Sequence, residues 1–281
     1  MNMTDKISRS EYERFKHFLE QACGITLGEG KQYLIVSRLT RLLREEKIAS
    51  FTELLTAIER HNPRHIRDAV VDAMTTNETS WFRDSSPFEI LENVVFPEID
   101  KKGKHQCRIW SSACSSGQEP YTISITLSEY LKSSQTPNGG LANSQIVATD
   151  ISASMLAEAK QAEYEEAILG RGLSQQRKQQ FFQHTGGRWK VVEEIKRRVR
   201  FSEQNLLLPY APLGKFDIIF CRNVLIYFAV DRKTDILNRM AQALNPGGYL
   251  FLGASETITG YSDAFDMVRS PPYGVFYRLR S

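Results

Sequence analysis

A change of texture near residue 105 constrains this chain more than any other feature. Ahead of it, apolar residues recur at helical spacing; behind it, short apolar runs alternate with helical stretches. Residues 1 to about 80 read as helices alone. Ser10 is expected to cap a first helix that carries Phe15, Phe18 and Leu19 on one side and stops at Gly24. Residues 31–47 place Ile35, Leu39 and Leu42 on one stripe, with Lys31, Arg38, Arg41 and Arg44 largely on the other side. Ser50 caps a third helix bearing Leu54, Leu55 and Ile58, and Pro63 opens a fourth that runs to about Met74. Short helices with short connections predict a small bundle.

Beyond residue 105 the spacing predicts strands at 106–112, 146–149, 199–201, 216–220, 249–253 and 273–279. Helices fall near 121–131, 152–162 and 231–244, and Asn245-Pro246-Gly247-Gly248 reads as a turn. This alternation implies βαβ units and a mainly parallel sheet. Residues 163–200 break the rhythm with a polar, Gln-rich helical stretch and basic strand-like pieces, and read as an insertion.

A length of 281 residues suffices for two modest domains. Thirty-six basic against 33 acidic residues leave a net charge of +3, too even for a nucleic-acid protein, so none is expected as a partner. Cys23, Cys107, Cys114 and Cys221 form no C-x-x-C pair, as in free thiols of a reducing compartment. There is no apolar signal core at the N-terminus and no run near the ~20 apolar residues of a membrane span. The expectation is a cytoplasmic chain without membrane insertion, and nothing demands more than a monomer. His61 and His65 are four apart, but Pro63 lies between them and no metal site is expected.

Open α/β sheets bind ligands at the carboxyl ends of their strands. Those ends carry the small-residue loop Ala113-Cys114-Ser115-Ser116-Gly117 leading to Glu119, then Asp150, then Asn205, then Arg222, Asn223 and Tyr227. Taken alone, the loop is also what a plain strand-to-helix turn looks like. Asp150 can accept hydrogen bonds from ribose hydroxyls. The G-x-G-x-x-G pattern of a dinucleotide site is missing, and Glu119 would repel a pyrophosphate. It would attract the ammonium of a methionine moiety, which turns the cofactor from NAD toward S-adenosylmethionine. On its own residues, Arg83 reads rather as a surface partner of Asp84 or Glu78, and Tyr227 rather as a core tyrosine. Ser270-Pro271-Pro272-Tyr273 resembles a motif of amino-methyltransferases acting on DNA bases, but it lies just before the last strand, where prolines suit a turn.

The chain resembles the CheR-type chemotaxis receptor methyltransferases over nearly its whole length. The resemblance is carried, in order, by TTNETSWFR at 75–83, IWSSACSSGQEPY at 109–121, ATDI at 148–151 and NLL at 205–207. FDIIFCRNVLIYF at 216–228, PGG at 246–248 and GASE at 253–256 complete it. It implies a helical domain at 1–80, expected to dock substrate. A Rossmann-like methyltransferase domain follows at 81–281, with an inserted helical and β-hairpin subdomain at about 163–200. It implies methyl transfer from S-adenosylmethionine, with S-adenosylhomocysteine as product, to glutamate carboxylates on cytoplasmic signalling helices of chemoreceptors. Asn77, Thr79, Arg83, Glu119, Asp150, Asn205, Leu206, Arg222 and Asn223 match the family's cofactor-contacting positions, and Arg83 and Tyr227 those nearest the transferred methyl. The basic face at Lys31, Arg38, Arg41 and Arg44 would either meet acidic receptor helices, as the family's N-terminal domain is expected to, or be a solvated helix face. Gln118 and Trp81 stand where family members often carry Glu and Phe.

Overall fold

The computed structural model describes residues 7–60, 63–103, 106–133 and 140–280. His61 and half of the turn-rich stretch at 133–144, residues 134–139, therefore lie outside the described residues. The first helix, α1 (Arg9–Cys23), is capped by Ser8 rather than Ser10. The Ser8 hydroxyl accepts from Glu11 N while the Glu11 carboxylate accepts from Ser8 N at 2.8 Å. Ser10 also has a glutamate three residues on, Glu13, but the chain is already helical from Arg9, so it is Ser8 that closes the reciprocal box with Glu11. Gly24 ends the helix in the left-handed conformation at φ 78°. Then come α2 (Gln32–Glu45), α3 (Phe51–Glu59), capped by Ser50, and α4 (Arg64–Met74). Phe15, Leu19, Ile35, Leu39, Leu54 and Val70 are fully buried together between them.

A broken helix that the sequence did not announce leads into the sheet: α5 (Ser86–Ile90), a π-helical turn at Leu91–Val95, and α6 (Phe96–Lys101). Pro87 and Pro97 sit in first turns, where the missing N–H costs nothing. The alternating region gives β1 (Arg108–Ser112), α7 (Gln118–Ser133), β2 (Gln145–Asp150) and α8 (Ala153–Gln161). An excursion follows: β3 (Glu163–Tyr164), α9 (Glu166–Leu169), α10 (Gln175–Phe181), β4 (Phe182–Thr185), β5 (Arg188–Val191) and α11 (Glu193–Lys196). The chain then returns through β6 (Val199–Glu203), β7 (Phe216–Cys221), α12 (Val230–Ala243), β8 (Leu244–Leu252), β9 (Phe265–Ser270) and β10 (Gly274–Leu279).

The main sheet runs β6-β2-β1-β7-β8-β10-β9, parallel from β6 to β8 and antiparallel at β10 and β9. Its middle strand β7 is buried at every residue, as a strand covered on both faces must be. β3, β5 and β4 form a separate antiparallel sheet, with Gly186 and Gly187 both at positive φ in the tight turn between β4 and β5. β6 pairs with β2, so the strand-like residues from 199 onward belong to the main sheet and not to the excursion.

Two further departures have local causes. The residues expected to make a turn at 245–248 are the irregular start of β8: Phe216 pairs with Leu244 but Ile218 with Tyr249, so the extra residues bulge out. β9 escaped the pattern because only Phe265 of its residues is buried. Among the described residues, no helix is long and apolar enough to cross a membrane.

Candidate active site

From β1 the chain steps through β2 to β6 on one side, and β7 and β8 lie on the other. The order therefore reverses between β1 and β7, and a crevice opens at the carboxyl ends of these strands. A cleft of about 940 Å³, counting its open mouth, lies there. Asn77, Thr79, Arg83, Glu119, Asp150, Asn205, Leu206, Arg222, Asn223 and Tyr227 all line it, brought together from four stretches of the sheet domain and the strap that enters it.

The loop after β1 is bent by Ala113, Ser115 and Gly117 at φ 55°, 49° and 92°. Gly117 has a second reason to be glycine: a Cβ there would stand 2.9 Å from the Ala159 Cβ of α8. Tyr164 Oη donates to Ser116 O at 2.7 Å and fixes the loop from behind. Asp150, at the end of β2, receives Ser115 N at 2.7 Å and Ser152 N at 2.9 Å on separate oxygens. Burial pushes its carboxyl above the ordinary aspartate range, and these N–H donors pull part of the way back.

Glu119, in the first turn of α7, is held rather than free. Its Oε1 accepts from Ser111 Oγ at 2.7 Å and its Oε2 from Arg222 Nη1 at 3.0 Å. Arg222 Nη2 also donates to Asp84 Oδ2 at 2.8 Å and to Arg83 O at 2.7 Å. One buried guanidinium, its side chain 1% exposed, thus joins the ends of β1 and β7 to the strap at 77–85. The strap is strained there: Phe82, Asp84 and Ser85 have φ 48°, 63° and 28° around Arg83. Arg83 itself donates to Glu78 O at 2.9 Å and pairs with neither carboxylate that its sequence neighbourhood offered. Trp81 turns away from the cleft, edge-on to Tyr164 and Phe182 at ring distances of 5.0 and 5.1 Å, so its departure from the family pattern lies behind the site.

The helical domain contributes a wall that the sequence reading missed. Cys23 and Ile25 line the cleft, as do Thr75 and Thr76 beyond α4. Asn205 Nδ2 donates to Ala22 O at 2.7 Å, and Thr26 N donates to Tyr227 O at 2.9 Å. Gly24 lets α1 end against Phe228, whose ring carbon would lie 2.5 Å from a Cβ there. No local signal marks such partners, because they join residues some 200 positions apart. The cysteines in the lining, Cys23 and Cys114, are buried, and burial raises both thiols, Cys23 to about 11, which keeps them neutral.

Of the basic face, Lys31, Arg41 and Arg44 are exposed, Arg41 in an ion pair with Glu45 at 2.6 Å. Arg38 departs from the expected free cation. It folds back to donate to Met74 O at 2.6 Å, Thr75 O at 3.0 Å and Thr76 Oγ1 at 3.0 Å, bracing the segment that enters the cleft. Ser270 ends β9 and Pro271-Pro272 turn into β10, at the far side of the sheet, and none of them lines the cleft.

Comparison with known proteins gives this arrangement its family. Residues 10–75 match the model described as CheR methyltransferase, all-alpha domain, and residues 77–273 the model described as CheR methyltransferase, SAM binding domain. A chemotaxis protein methyltransferase of Vibrio parahaemolyticus is 52% identical, covering 98% of either chain. Chemotaxis protein methyltransferase 1 of Pseudomonas aeruginosa is 51% identical over 97% of this chain and 99% of its own. A chemotaxis protein methyltransferase of Borreliella burgdorferi is 35% identical over 92% of each. With both domains matched, in order and nearly end to end, this chain belongs to the CheR family of S-adenosylmethionine-dependent chemotaxis methyltransferases.

Proposed function

We propose that the enzyme methylates glutamate side-chain carboxylates on cytoplasmic signalling helices of chemoreceptors, forming glutamate methyl esters. The observation that carries this reading is the make-up of the cleft: among the described residues its lining includes no histidine and no lysine, and the carboxylates that line it, Asp150, Glu119 and Glu78, already accept hydrogen bonds from protein donors. A hydroxyl or amine acceptor would need a base. A glutamate, with a reference pKa of about 4.3, arrives ionised at neutral pH and needs only positioning.

The donor set fits S-adenosylmethionine. Asp150 offers acceptor capacity for ribose hydroxyls, Ile151, Leu206 and Phe228 offer an apolar wall, and Arg83 offers a cation for a carboxylate. The Nε of Arg222 is buried without a partner among the described residues. When bound, S-adenosylmethionine supplies an electrophilic methyl on a positive sulfur, and its loss leaves S-adenosylhomocysteine. The protein's part is to orient and to exclude water. Asn77, Thr79, Arg83, Glu119, Asp150, Asn205, Leu206, Arg222 and Asn223 hold the cofactor. Glu119, charge-balanced by Arg222, keeps a negative oxygen toward the amino group without leaving a bare charge in the wall. Tyr227 shapes the space around the methyl. Arg83 grips the cofactor's carboxylate rather than the substrate's, since a tight ion pair would blunt the nucleophile. Lys31, Arg41 and Arg44 meet the acidic face of the receptor helix.

Incubation with methyl-labelled S-adenosylmethionine and a purified receptor signalling fragment tests this reading. Label released as volatile methanol by mild alkali is the expected result. Cofactor binding without base-labile label on any receptor fragment would refute the glutamate substrate.

A further inference from the structure

Glu256 has no place in the site read so far and does not line the cleft, yet its carboxylate organises one side of it. It follows β8 by four residues, three after Gly253. Its Oε2 accepts from Gly253 N at 2.8 Å and Asn223 N at 2.7 Å, and its Oε1 from Val224 N at 2.9 Å and Leu225 N at 2.8 Å. Three successive backbone N–H groups after β7 therefore converge on one side chain from the neighbouring strand's end. Convergent N–H groups of this kind form an anion-binding concavity, and here the anion is part of the chain.

The anchored segment is the one that presents Arg222, Asn223, Val224, Tyr227 and Phe228 to the cleft. Asn223 stands at φ 57°, a left-handed conformation that asparagine tolerates better than most side chains and that the bond from its N–H to Glu256 holds in place. Gly253 is shaped to the same end. A Cβ there would lie 2.7 Å from Glu256 Oε2 and 2.8 Å from both Asn223 N and Asn223 Nδ2, so no side chain fits between the anchor and the loop.

We infer that Glu256 is a positioning residue for the cofactor: its carboxylate holds the loop at 222–228 in the conformation that aims Arg222, Asn223 and Tyr227 into the cleft, and Gly253 keeps the space for it. The inference rests on the reading of Arg222 and Asn223 as cofactor contacts. A neutral amide in place of the carboxylate turns one acceptor oxygen into a donor facing two N–H groups, which pushes the loop out of place.

The test is the dissociation constant for S-adenosylhomocysteine by calorimetry, at a temperature where circular dichroism shows each variant fully folded, together with kcat and KM for both substrates. Glu256→Gln and, independently, Gly253→Ala are each expected to weaken cofactor binding about tenfold or more. KM for the receptor fragment should change less than KM for the cofactor. Ser255→Ala, on the exposed side of the same turn, is the control. Asp150→Asn separates the two claims. If it weakens binding while Glu256→Gln and Gly253→Ala bind like the parent, the positioning role is overturned and the site stands. If none of the three alters binding, the cofactor site itself has been misread. Should Glu256→Gln fail to fold, Gly253→Ala decides: it keeps the carboxylate and only displaces it, so unchanged affinity in that variant overturns the proposal.

Discussion

Asp150 is asked to be buried and to stay charged, and the two demands set a pH dependence. Its pKa is raised, first by desolvation, with the Ser152 and Ser115 N–H groups opposing. Because the folded state holds the proton more tightly than the unfolded chain, the group favours folding most below the unfolded pKa, and that contribution is lost as pH rises through the folded value. Cofactor binding should run the other way, since under the proposed reading the ionised form accepts hydrogen bonds from ribose hydroxyls. Affinity for S-adenosylhomocysteine should fall as pH is lowered through the raised Asp150 value, above the ordinary aspartate range, and Asp150→Asn should weaken binding and flatten the profile. Calorimetric titration at stepped pH reads both. Trp81 gives a second residue-scale outcome. It is fully buried, and its Nε1 has no partner among the described residues. Trp81→Phe removes an unsatisfied donor together with ring volume, and the two effects oppose; the net change in urea unfolding should stay within about 1 kcal/mol. Trp81→Ala, with nothing to offset the cavity, should cost about 3–5 kcal/mol.

At the scale of elements, the join between α1 and the loop after β7 is the most sensitive. Gly24 has φ 78° and its Cα faces the Phe228 ring. Gly24→Ala meets both a disfavoured conformation and a clash, and should destabilise by about 1–3 kcal/mol while weakening cofactor binding, because Phe228 and Tyr227 move with the strain. Thermal melting with and without S-adenosylhomocysteine checks both parts. Elements also mark where the sequence was legible. α2 to α4, β1, β2, β7 and α12 were, because burial stamps a period on their residues or a cap marks their ends. The broken helix at 86–101 was not, since its two prolines interrupt a pattern that a π-helical turn in fact carries across. β8 was read too short because a bulge takes the same residues as a turn. The cleft followed strand ends and was legible along the sheet: Asp150, Asn205 and Arg222 line it. Its other wall, from Cys23 to Thr76, rests on contacts that no local pattern encodes. Glu256 left a faint trace, a glutamate three residues after a glycine at the end of a strand, but three of its four N–H partners exist only once β7 and β8 lie side by side.

For the whole molecule, charge and architecture make separable predictions. Arg41 and Arg44 face solvent, and the pair of Arg41 with Glu45 is exposed enough to contribute little to stability. Reversing both charges to Glu should raise KM for a receptor fragment several-fold at low salt. The effect should fade above roughly 0.15 M ionic strength and leave cofactor affinity unchanged, which stopped-flow or steady-state assays across a salt series would read. Arg38→Ala should do the reverse, loosening the segment at 74–76 and weakening the cofactor without a salt-dependent change in receptor KM. The shared cleft has one more consequence. Its two walls come from separate hydrophobic cores, one in the helical domain and the others around the sheet. A molecule that touches both walls acts as a fastener, adding RT ln(1 + [L]/Kd) to the closed arrangement and nothing to either domain alone. In a calorimetric scan, the free protein should melt as a broad or doubled transition. Saturating S-adenosylhomocysteine should fuse it into a single sharper one, so that the cooperativity of the fold is itself a property of the bound state.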